Sequence, residues 1–224
     1  MSITRPKQSL YEHFAVVAKA LGNAQRLELV EHLAQGSRTV DSLAAKIGLP
    51  IANVSQHLQA MRKAGLVISQ KNGKFVSYRL ADDSVLAAFA GIRAVAERHS
   101  AEVQQVVQAW FNQRDNMEPV TRTELIERMH AGLVTVIDVR PSDEFELGHL
   151  PGAISVPIGQ LKRWLTKLDA HREVIAYCRG PWCVMSFEAV AALRKRGFRA
   201  QRLEDGMPEW KAAGLPVETG MPRD

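Results

Sequence analysis

The polar segment at residues 112–119 is the feature that most constrains the fold, because the chain follows different patterns on its two sides. It lies within the stretch FNQRDNMEPV and includes a proline, which stops a helix that precedes it. Helical periodicities and one hairpin pattern come before it, whereas short apolar strands alternate with helical stretches after it. We therefore predict two domains, residues 1–113 and 114–224, joined by a short linker at about residues 112–119.

The net positive charge of the chain lies in the first of these domains. Residues 1–117 hold 14 Lys and Arg against 9 Asp and Glu, whereas the remaining residues hold 15 of each. This excess favours an anionic partner for the first domain, with nucleic acid as the first candidate.

The composition indicates a globular protein of the cytoplasm. No apolar run approaches the roughly 20 residues that a membrane span needs, and the first residues, MSITRPKQSLYEHF, lack the apolar core of a secretory signal. Two cysteines among 224 residues do not form a disulfide scaffold, so a reducing compartment is expected. We predict a cytoplasmic protein with no membrane partner.

The first domain begins with four predicted helices and a hairpin. The helical stretches are SLYEHFAVVAKAL, NAQRLELVEHLAQG, TVDSLAAKIGLP and IANVSQHLQAMRKAGLV. The next stretch, LVISQKNGKFVSYRL, alternates on both sides of an Asn-Gly tip, which is a strong hairpin signal. From about residue 82 to 110, apolar residues recur three or four apart and predict one long helix. Its apolar stripe must pack on something, and we expect a second subunit to cover it together with the stripe at residues 10–21.

Two short helices joined by a tight turn and followed by a basic hairpin predict a winged helix-turn-helix. The second helix of such a pair enters the major groove, and the hairpin wing contacts the DNA backbone. The polar helix positions predicted to face outward are Asn53, Ser55, Gln56, Gln59, Arg62 and Lys63, and the basic wing positions are Lys71, Lys74 and Arg79. We expect Gln56 and Gln59 to reach bases, and Arg62 and Lys63 to contact phosphates.

The stretches ALGNAQRLELVEHLAQG, TVDSLAAKIGLPIANVSQHLQAMRKAGLV and KNGKFVSYRL resemble the ArsR/SmtB group of bacterial repressors over roughly residues 8–110. The resemblance implies a homodimer built on the first and last helices, which binds a double-stranded operator with an inverted repeat and is released by an inducer. Many members bind metal through thiolates in the helix before the recognition helix, but TVDSLAAKIG has neither Cys nor His. The last helix offers only His99, so we predict no metal site.

The second domain is predicted to be an α/β fold. Its apolar runs LVTVIDVRP and EVIAYCRG indicate buried strands, and TRTELIERMHAG, PIGQLKRWLTKL and VMSFEAVAALRKRGF indicate helices. This alternation predicts a parallel sheet with helices on both faces, in which ligands bind beyond the carboxyl ends of the strands. Cys178 ends one of these strands and is therefore a candidate site residue.

Both cysteines of the chain lie in the stretch AYCRGPWCVMS, five positions apart. A cysteine that faces backbone N–H groups at a helix N-terminus has its thiolate favoured by those donors. Arg179 adds positive charge, Gly180 lets the backbone curl, and Pro181 and Trp182 complete the loop before Cys183. The loop could thus hold a persulfide anion on Cys178.

The stretches VIDVRPSDEFELGHLPGAISVP, AYCRGPWC and LEDGMPEWKAAGLPV resemble the rhodanese (thiosulfate sulfurtransferase) domain over roughly residues 118–220. The resemblance implies that Cys178 is the nucleophile that takes a sulfane sulfur as a persulfide, and it places Asp138 and Arg140 among the supporting residues. A related phosphatase group has a longer loop that ends in Arg, so this short loop suits sulfur better than phosphate.

The loop departs from the common rhodanese pattern. Family loops often carry Gly at the fourth position and Arg or another polar residue at the sixth, whereas Gly180 is third, Trp182 fifth and Cys183 sixth here. A second thiol can attack a persulfide and leave a disulfide or polysulfide bridge. Alternatively, Cys183 packs only as the first residue of the following helix.

These features together predict a mainly α winged helix-turn-helix domain with a β-hairpin wing, fused to a rhodanese-like α/β domain. The predicted function is a transcriptional repressor that senses or transfers sulfane sulfur from thiosulfate, polysulfide or a low-molecular-weight persulfide, with no cofactor. One alternative is a sulfurtransferase or thiol reductase with a DNA-binding anchor. Another is a repressor that responds to arsenite or a soft metal through Cys178 and Cys183, although no third ligand is evident.

Overall fold

The computed structural model describes residues 5–73, 75–115 and 118–220, with the side chain of Asn72 also left undescribed. The chain separates into two compact units, one extending to Ala94 and the other beginning at Val95. Each unit has a hydrophobic core of its own.

The first unit consists of helices and a small antiparallel sheet, as the sequence predicted. Its helices are α1 (Pro6–Leu21), α2 (Ala24–Ala34), α3 (Val40–Ile47), α4 (Ile51–Lys63) and the start of α5 (Ser84–His99), and its strands are β1 (Arg38–Thr39), β2 (Val67–Asn72) and β3 (Phe75–Leu80). The strands lie in the order β1-β3-β2. The side chain of Asn23 caps α2 by accepting a hydrogen bond from the backbone N–H of Arg26, at 3.1 Å.

The helix pair at the predicted DNA-binding position is α3 and α4. The side chain of Thr39 caps α3, and Gly48, in the left-handed region at φ 67°, ends it. Leu43 of α3 and Val54, Leu58 and Met61 of α4 are fully buried. These apolar positions fix which face of α4 packs inward and leave its polar face outward.

One residue of the predicted Asn-Gly tip, Asn72, lies in a strand of the hairpin. Asn72 of β2 pairs with Phe75 of β3, and Gly73 follows directly after β2. Gly73 adopts φ 58°, a left-handed conformation that glycine adopts without steric cost. The register therefore keeps Asn72 in the strand.

The single long helix predicted at residues 82–110 is wrong, because the helix breaks at Ser100. α5 ends at His99, and the hydroxyl of Ser100 accepts a hydrogen bond from the backbone N–H of Val103 at 3.3 Å, which caps a new helix. α6 (Ala101–Val106), a π-helical turn (Val107–Phe111) and α7 (Asn112–Arg114) follow. Serine favours such a cap over a helix interior, and the apolar periodicity gave no sign of it.

The second unit contains a four-stranded parallel sheet in the order β5-β4-β6-β7, which confirms the predicted α/β class. The strands are β4 (Val134–Asp138), β5 (Ile154–Ser155), β6 (Glu173–Tyr177) and β7 (Ala200–Arg202), and the helices are α8 (Arg122–His130), α9 (Ser142–Leu147), α10 (Leu161–Trp164), α11 (Val184–Arg194) and α12 (Met207–Ala212). A short 3-10 turn, Ile158–Gln160, precedes α10.

Helices cover both faces of this sheet. Val174 and Ala176 of β6 face a core that includes Val190 of α11, whereas Ile175 and Tyr177 face a second core that includes Trp210 of α12. The side chains thus alternate between two buried faces, as expected for a strand inside a parallel sheet.

The boundary between the units differs from the predicted linker. Residues 95–115, which we call the arm, fall into the second unit, whereas the predicted linker began at residue 112. The reason is that the aromatic side chains of Trp110 and Phe111 and the carboxylate of Asp115 contact residues of that unit. None of the helices within the described ranges is long and apolar enough to cross a membrane.

Candidate functional site

The two cysteines form the centre of the site in the second unit. β6 ends at Tyr177, so Cys178 lies at the carboxyl edge of the sheet, where the sequence placed it. The structure joins Cys178 to Cys183 in a disulfide, with the two Cα atoms 6.1 Å apart. Both are buried, with Cys178 1% and Cys183 8% exposed. Helix α11 begins directly after Cys183, so its first turn adjoins the bridge.

Arg179 binds Glu144 through two hydrogen bonds. Its Nε and Nη2 donate to the two carboxylate oxygens of Glu144, each at 2.8 Å. Glu144 lies in α9 and its side chain is fully buried. The charge of Arg179 is therefore paired in this state, and the contact fixes the start of the loop. A catalytic role for Arg179 stays a prediction.

Asp138 and Arg140 form a fully buried ion pair beside the strand that carries Cys178. Arg140 donates to both carboxylate oxygens of Asp138 and to the carbonyl of Gly148, at 2.7 Å. Burial alone would lower the pKa of Arg140, but the carboxylate of Asp138 outweighs it and the pKa lies above its ordinary value. Burial also raises the pKa of Tyr177 well above its ordinary value. The buried ion pair supports the scaffold under the loop.

Gly206 was not among the predicted site residues, although it touches the loop. A Cβ at this position would lie 2.3 Å from the carbonyl carbon of Arg179 and 2.3 Å from the nitrogen of Gly180. The next residue, Met207, donates its backbone N–H to the carbonyl of Cys178 at 3.1 Å. Only the stretch GMPEW, quoted for its family resemblance, pointed to this position.

Trp182, between Gly180 and Cys183 in the loop, contacts the arm. Its indole N–H donates to the carboxylate of Glu97. Its ring packs edge-on against Phe111, with ring centres 5.0 Å apart, and parallel to Phe187 of α11 at 6.3 Å. Phe111 also packs against Phe187 at 4.8 Å. The sequence analysis missed Glu97 and Phe111, because both lay in what looked like a dimerisation helix and a linker.

Pro181 is linked to the arm through Arg202. Arg202 donates to the carbonyl of Pro181 at 3.5 Å, and its guanidinium lies 3.8 Å above the ring centre of Phe187. Asp115, at the end of the arm, binds Arg202 at 2.8 Å and Arg194 at 2.7 Å. Burial is the main cause that lowers the pKa of Arg202, and Asp115 opposes it. Nothing in the sequence distinguished Asp115 from a solvated linker residue.

The polar face of α4 is open, as predicted. Among the six predicted positions, only Ser55 is half-buried and the others, Asn53, Gln56, Gln59, Arg62 and Lys63, are exposed. Arg62 donates to the hydroxyl of Ser69 at 3.4 Å, which holds its guanidinium near the hairpin.

The basic wing positions are only partly described. Lys71 is exposed on β2. Arg79 donates to the carbonyls of Leu80 and Ala81, at 3.1 and 3.3 Å, so its guanidinium lies at the base of the wing rather than at its tip. Lys74, the third predicted wing residue, lies outside the described residues.

Within the described ranges, no group of three or more His, Cys, Asp or Glu side chains could hold a metal ion. The absence of a metal site stays a prediction. The disulfide between Cys178 and Cys183 also leaves neither sulfur as a thiolate ligand in this state.

Two family models match the chain. The model of the bacterial regulatory proteins of the arsR family matches residues 23–69, which include α2, α3 and α4. The model of the rhodanese-like domain matches residues 121–213, which include the parallel sheet and the cysteine loop.

Relatives match the whole chain or one part of it. An HTH-type transcriptional regulator of Mycobacterium tuberculosis, Rv0324, is 41% identical over 96% of this chain and 95% of its own length. A sulfurtransferase of Allochromatium vinosum is 29% identical over 38% of this chain and 78% of its own length.

Among solved structures, a homodimeric winged helix-turn-helix domain of a possible ArsR-family regulator of Mycobacterium bovis is 34% identical and has a TM-score of 0.42. It covers 46% of this chain, and the chain covers 94% of it. The long match to the mycobacterial regulator includes both parts of the molecule. The chain therefore belongs to the ArsR-type transcriptional regulators that carry a C-terminal rhodanese-like domain.

Proposed function

We propose that this regulator is a repressor whose rhodanese-like domain senses sulfane sulfur through Cys178, with Cys183 as the resolving thiol. The observation that supports this function best is the position of the two sulfur atoms, which are bonded to each other at the carboxyl edge of β6. A resolving thiol must reach the sulfur that carries the persulfide, and Cys183 does so within one loop.

The reaction begins on the reduced loop. The Cys178 thiolate attacks the outer sulfur of a low-molecular-weight persulfide, R–S–SH, and the products are a Cys178 persulfide anion and the thiol R–SH. Thiosulfate can donate in the same way and leave sulfite. The first turn of α11 and the loop N–H groups favour the anion on Cys178.

The second step closes the bridge. The sulfur of Cys183 attacks Sγ of Cys178, the disulfide forms, and the outer sulfur leaves as HS⁻ with the proton of the Cys183 thiol. The two cysteines are oxidised together, and the sulfane sulfur is reduced to hydrogen sulfide. The bridged loop of this structure corresponds to the product of this step.

DNA binding belongs to the first unit. In this proposal, α4 enters the major groove with Gln56 and Gln59 at base edges, while Arg62, Lys63 and the wing contact phosphates. The exposed apolar side chains of α1, such as Leu10 and Phe14, and Val95 of α5 are covered by a second subunit. The resulting two-fold dimer matches an operator with an inverted repeat.

Bridge formation lowers operator affinity. A coupling of about 1–3 kcal/mol between the sulfur state and DNA, or about 5–150-fold in affinity, is sufficient for such a switch. The repressor thus leaves its operator when sulfane sulfur accumulates and returns when the loop is reduced.

Intact-mass spectrometry after treatment of the reduced protein with polysulfide tests the sulfur chemistry. We expect wild type to lose both free thiols to the bridge and to resist alkylation. Cys183→Ser, which lacks the resolving thiol, should stop at a persulfide, with one added sulfur that a small thiol removes. Cys178→Ser should gain no sulfur on the loop.

The variants separate the two steps. If Cys183→Ser ends in the same alkylation-resistant state as wild type, Cys183 is not the resolving thiol. The first step, sulfur transfer to Cys178, would then remain, and the second step, closure of the bridge, would fail. If Cys178→Ser still takes up sulfur, Cys178 is not the acceptor and the proposed function fails.

A further inference from the structure

The loop between the two cysteines is held by the arm at two neighbouring residues. Trp182 donates to Glu97 and packs against Phe111, and the carbonyl of Pro181 accepts from Arg202, which Asp115 binds. The segment that links the two cysteines is therefore also the segment that the arm contacts.

The contacts on Trp182 depend on where Cys183 lies. The disulfide holds Cys183 next to Cys178, and Trp182 is its neighbour in the chain. When the bridge opens, the backbone of residues 181–183 is released from one of its anchors. A cavity of about 890 Å³ beside the indole, lined by Gln108, Asn112 and Arg202 among others, gives the ring space to move.

The aromatic contacts of the arm are individually weak, so the loss of one of them can change how firmly the arm is held. Phe111 packs edge-to-face with Trp182 and with Phe187, and an aromatic pair of this kind is worth about 0.5–1.5 kcal/mol. The ion pairs of Asp115 hold the end of the arm, whereas Trp182 and Glu97 hold its beginning. Movement of Trp182 therefore loosens the beginning and middle of the arm first.

We propose that the arm, residues 95–115, responds to the state of the cysteine loop through Trp182. The arm docks on the loop when the Cys178–Cys183 bridge is closed, and it loosens when the bridge is open. This inference rests on the proposed function for the signal that closes the bridge, but the docking itself depends only on the bridge. Because α5 runs from Ser84 to His99 without a break, the beginning of the arm is the last part of a helix that starts in the DNA-binding unit.

Hydrogen exchange followed by mass spectrometry on the full-length protein tests the docking. Peptides within residues 95–115 are compared between the bridged protein, closed with a thiol oxidant that carries no sulfane sulfur, and the protein reduced with a phosphine. Loss of the contacts between the aromatic rings predicts about two- to tenfold faster exchange of the arm after reduction. Peptides of α8, Arg122–His130, serve as an internal reference that stays unchanged.

A variant pair assigns the effect to the aromatic contacts. In Phe111→Ala, the arm should exchange hydrogen fast in both the bridged and the reduced protein. Gln113 is an exposed position two residues further along the arm, and in Gln113→Ala the exchange of the arm should change on reduction as it does in wild type. Phe111→Leu keeps an apolar side chain at the site, and it should show a reduced response if the alanine variant fails to fold. Equal exchange of the arm in bridged and reduced wild type would overturn the proposal, as would a full response in Phe111→Ala and Phe111→Leu.

The result is independent of the sulfur chemistry. Phe111→Ala should still gain sulfur on Cys178, because Phe111 packs on Trp182 and Phe187 rather than on the two cysteines. If the thiol oxidant protects the arm but polysulfide never loads Cys178, the docking stands and the proposed function fails. If Cys178 takes up sulfur and the bridge closes but hydrogen exchange of the arm does not change, the docking fails and the proposed function stands.

Discussion

Gly206 and Gly180 lie in direct backbone contact, so that a single added methyl group on Gly206 would fall 2.3 Å from the nitrogen of Gly180. This contact brings the segment after β7 against the cysteine loop, where Met207 also donates to the carbonyl of Cys178. The shape of the loop thus depends on a glycine 28 positions after Cys178.

Gly206→Ala should displace the loop. Backbone atoms cannot yield as a flexible side chain does, so we expect a loss of about 1–3 kcal/mol in unfolding free energy and much slower sulfur loading of Cys178. Intact-mass spectrometry at timed points measures the loading. Gly159→Ala, with nothing within 4 Å of the added Cβ, is the control that should load at the wild-type rate. Normal loading by Gly206→Ala would show that the loop can move away from this contact.

Glu144→Ala should destabilise the second unit, because Arg179 would be left without its buried partner. Loss of one member of a buried ion pair costs about 3–5 kcal/mol. Urea unfolding followed by tryptophan fluorescence measures it, and all four Trp lie at or beyond residue 110 and so report on this unit.

Asp205→Ala is the matched control for that variant. It removes the more exposed ion pair between Arg122 and Asp205, and it should cost only about 0–1 kcal/mol. Equal shifts of the unfolding midpoint in the two variants would contradict the structural role of Glu144.

Replacement of wing and helix residues should affect DNA binding in two different ways. Lys74→Ala should weaken binding to all sequences alike and lower the salt slope by about one, because a phosphate contact is lost. Gln56→Ala should relax sequence preference instead. Titrations of operator and unrelated DNA at several salt concentrations separate the two, with Lys167→Ala in the second unit as a control. Unchanged affinity and salt slope in Lys74→Ala would mean that the wing does not contact the backbone.

Phe14→Glu should separate the subunits. Phe14 is 59% exposed in the single chain, and a charge at a buried subunit interface is strongly unfavourable. Light scattering at micromolar concentration should give twice the chain mass for wild type and the chain mass for the variant. A monomeric wild type would exclude the proposed dimer.

The sequence predicted the parts of the fold that follow from short-range patterns. The buried strand β6, the hairpin of β2 and β3 and the polar face of α4 all depend on neighbouring residues, and each was found. The break at Ser100 was missed, because an apolar periodicity continues across a cap without interruption. Asn72 was expected at the hairpin tip and lies at the end of β2 instead, since asparagine fits a strand end as well as a turn.

The sequence predicted the site residues that lie together in one loop. It did not predict the residues that are distant in the sequence and meet that loop only in the folded chain. Cys178 and Cys183 were identified from AYCRGPWC alone, and their juxtaposition was expected. Glu144, Asp115 and Phe111 contact the loop or its supports through tertiary packing, over sequence separations that no local pattern records. Arg179, expected to add positive charge to the loop, is held by one of these residues.

The central claim is that the sulfur state of Cys178 controls DNA binding, and operator binding by gel shift measures it directly. Reduced wild type should bind the operator, and polysulfide should weaken the binding by about 5–150-fold in a way that a small thiol reverses. Cys178→Ser should bind equally well with and without polysulfide. If Cys178→Ser is released from the operator by polysulfide as wild type is, the account is wrong.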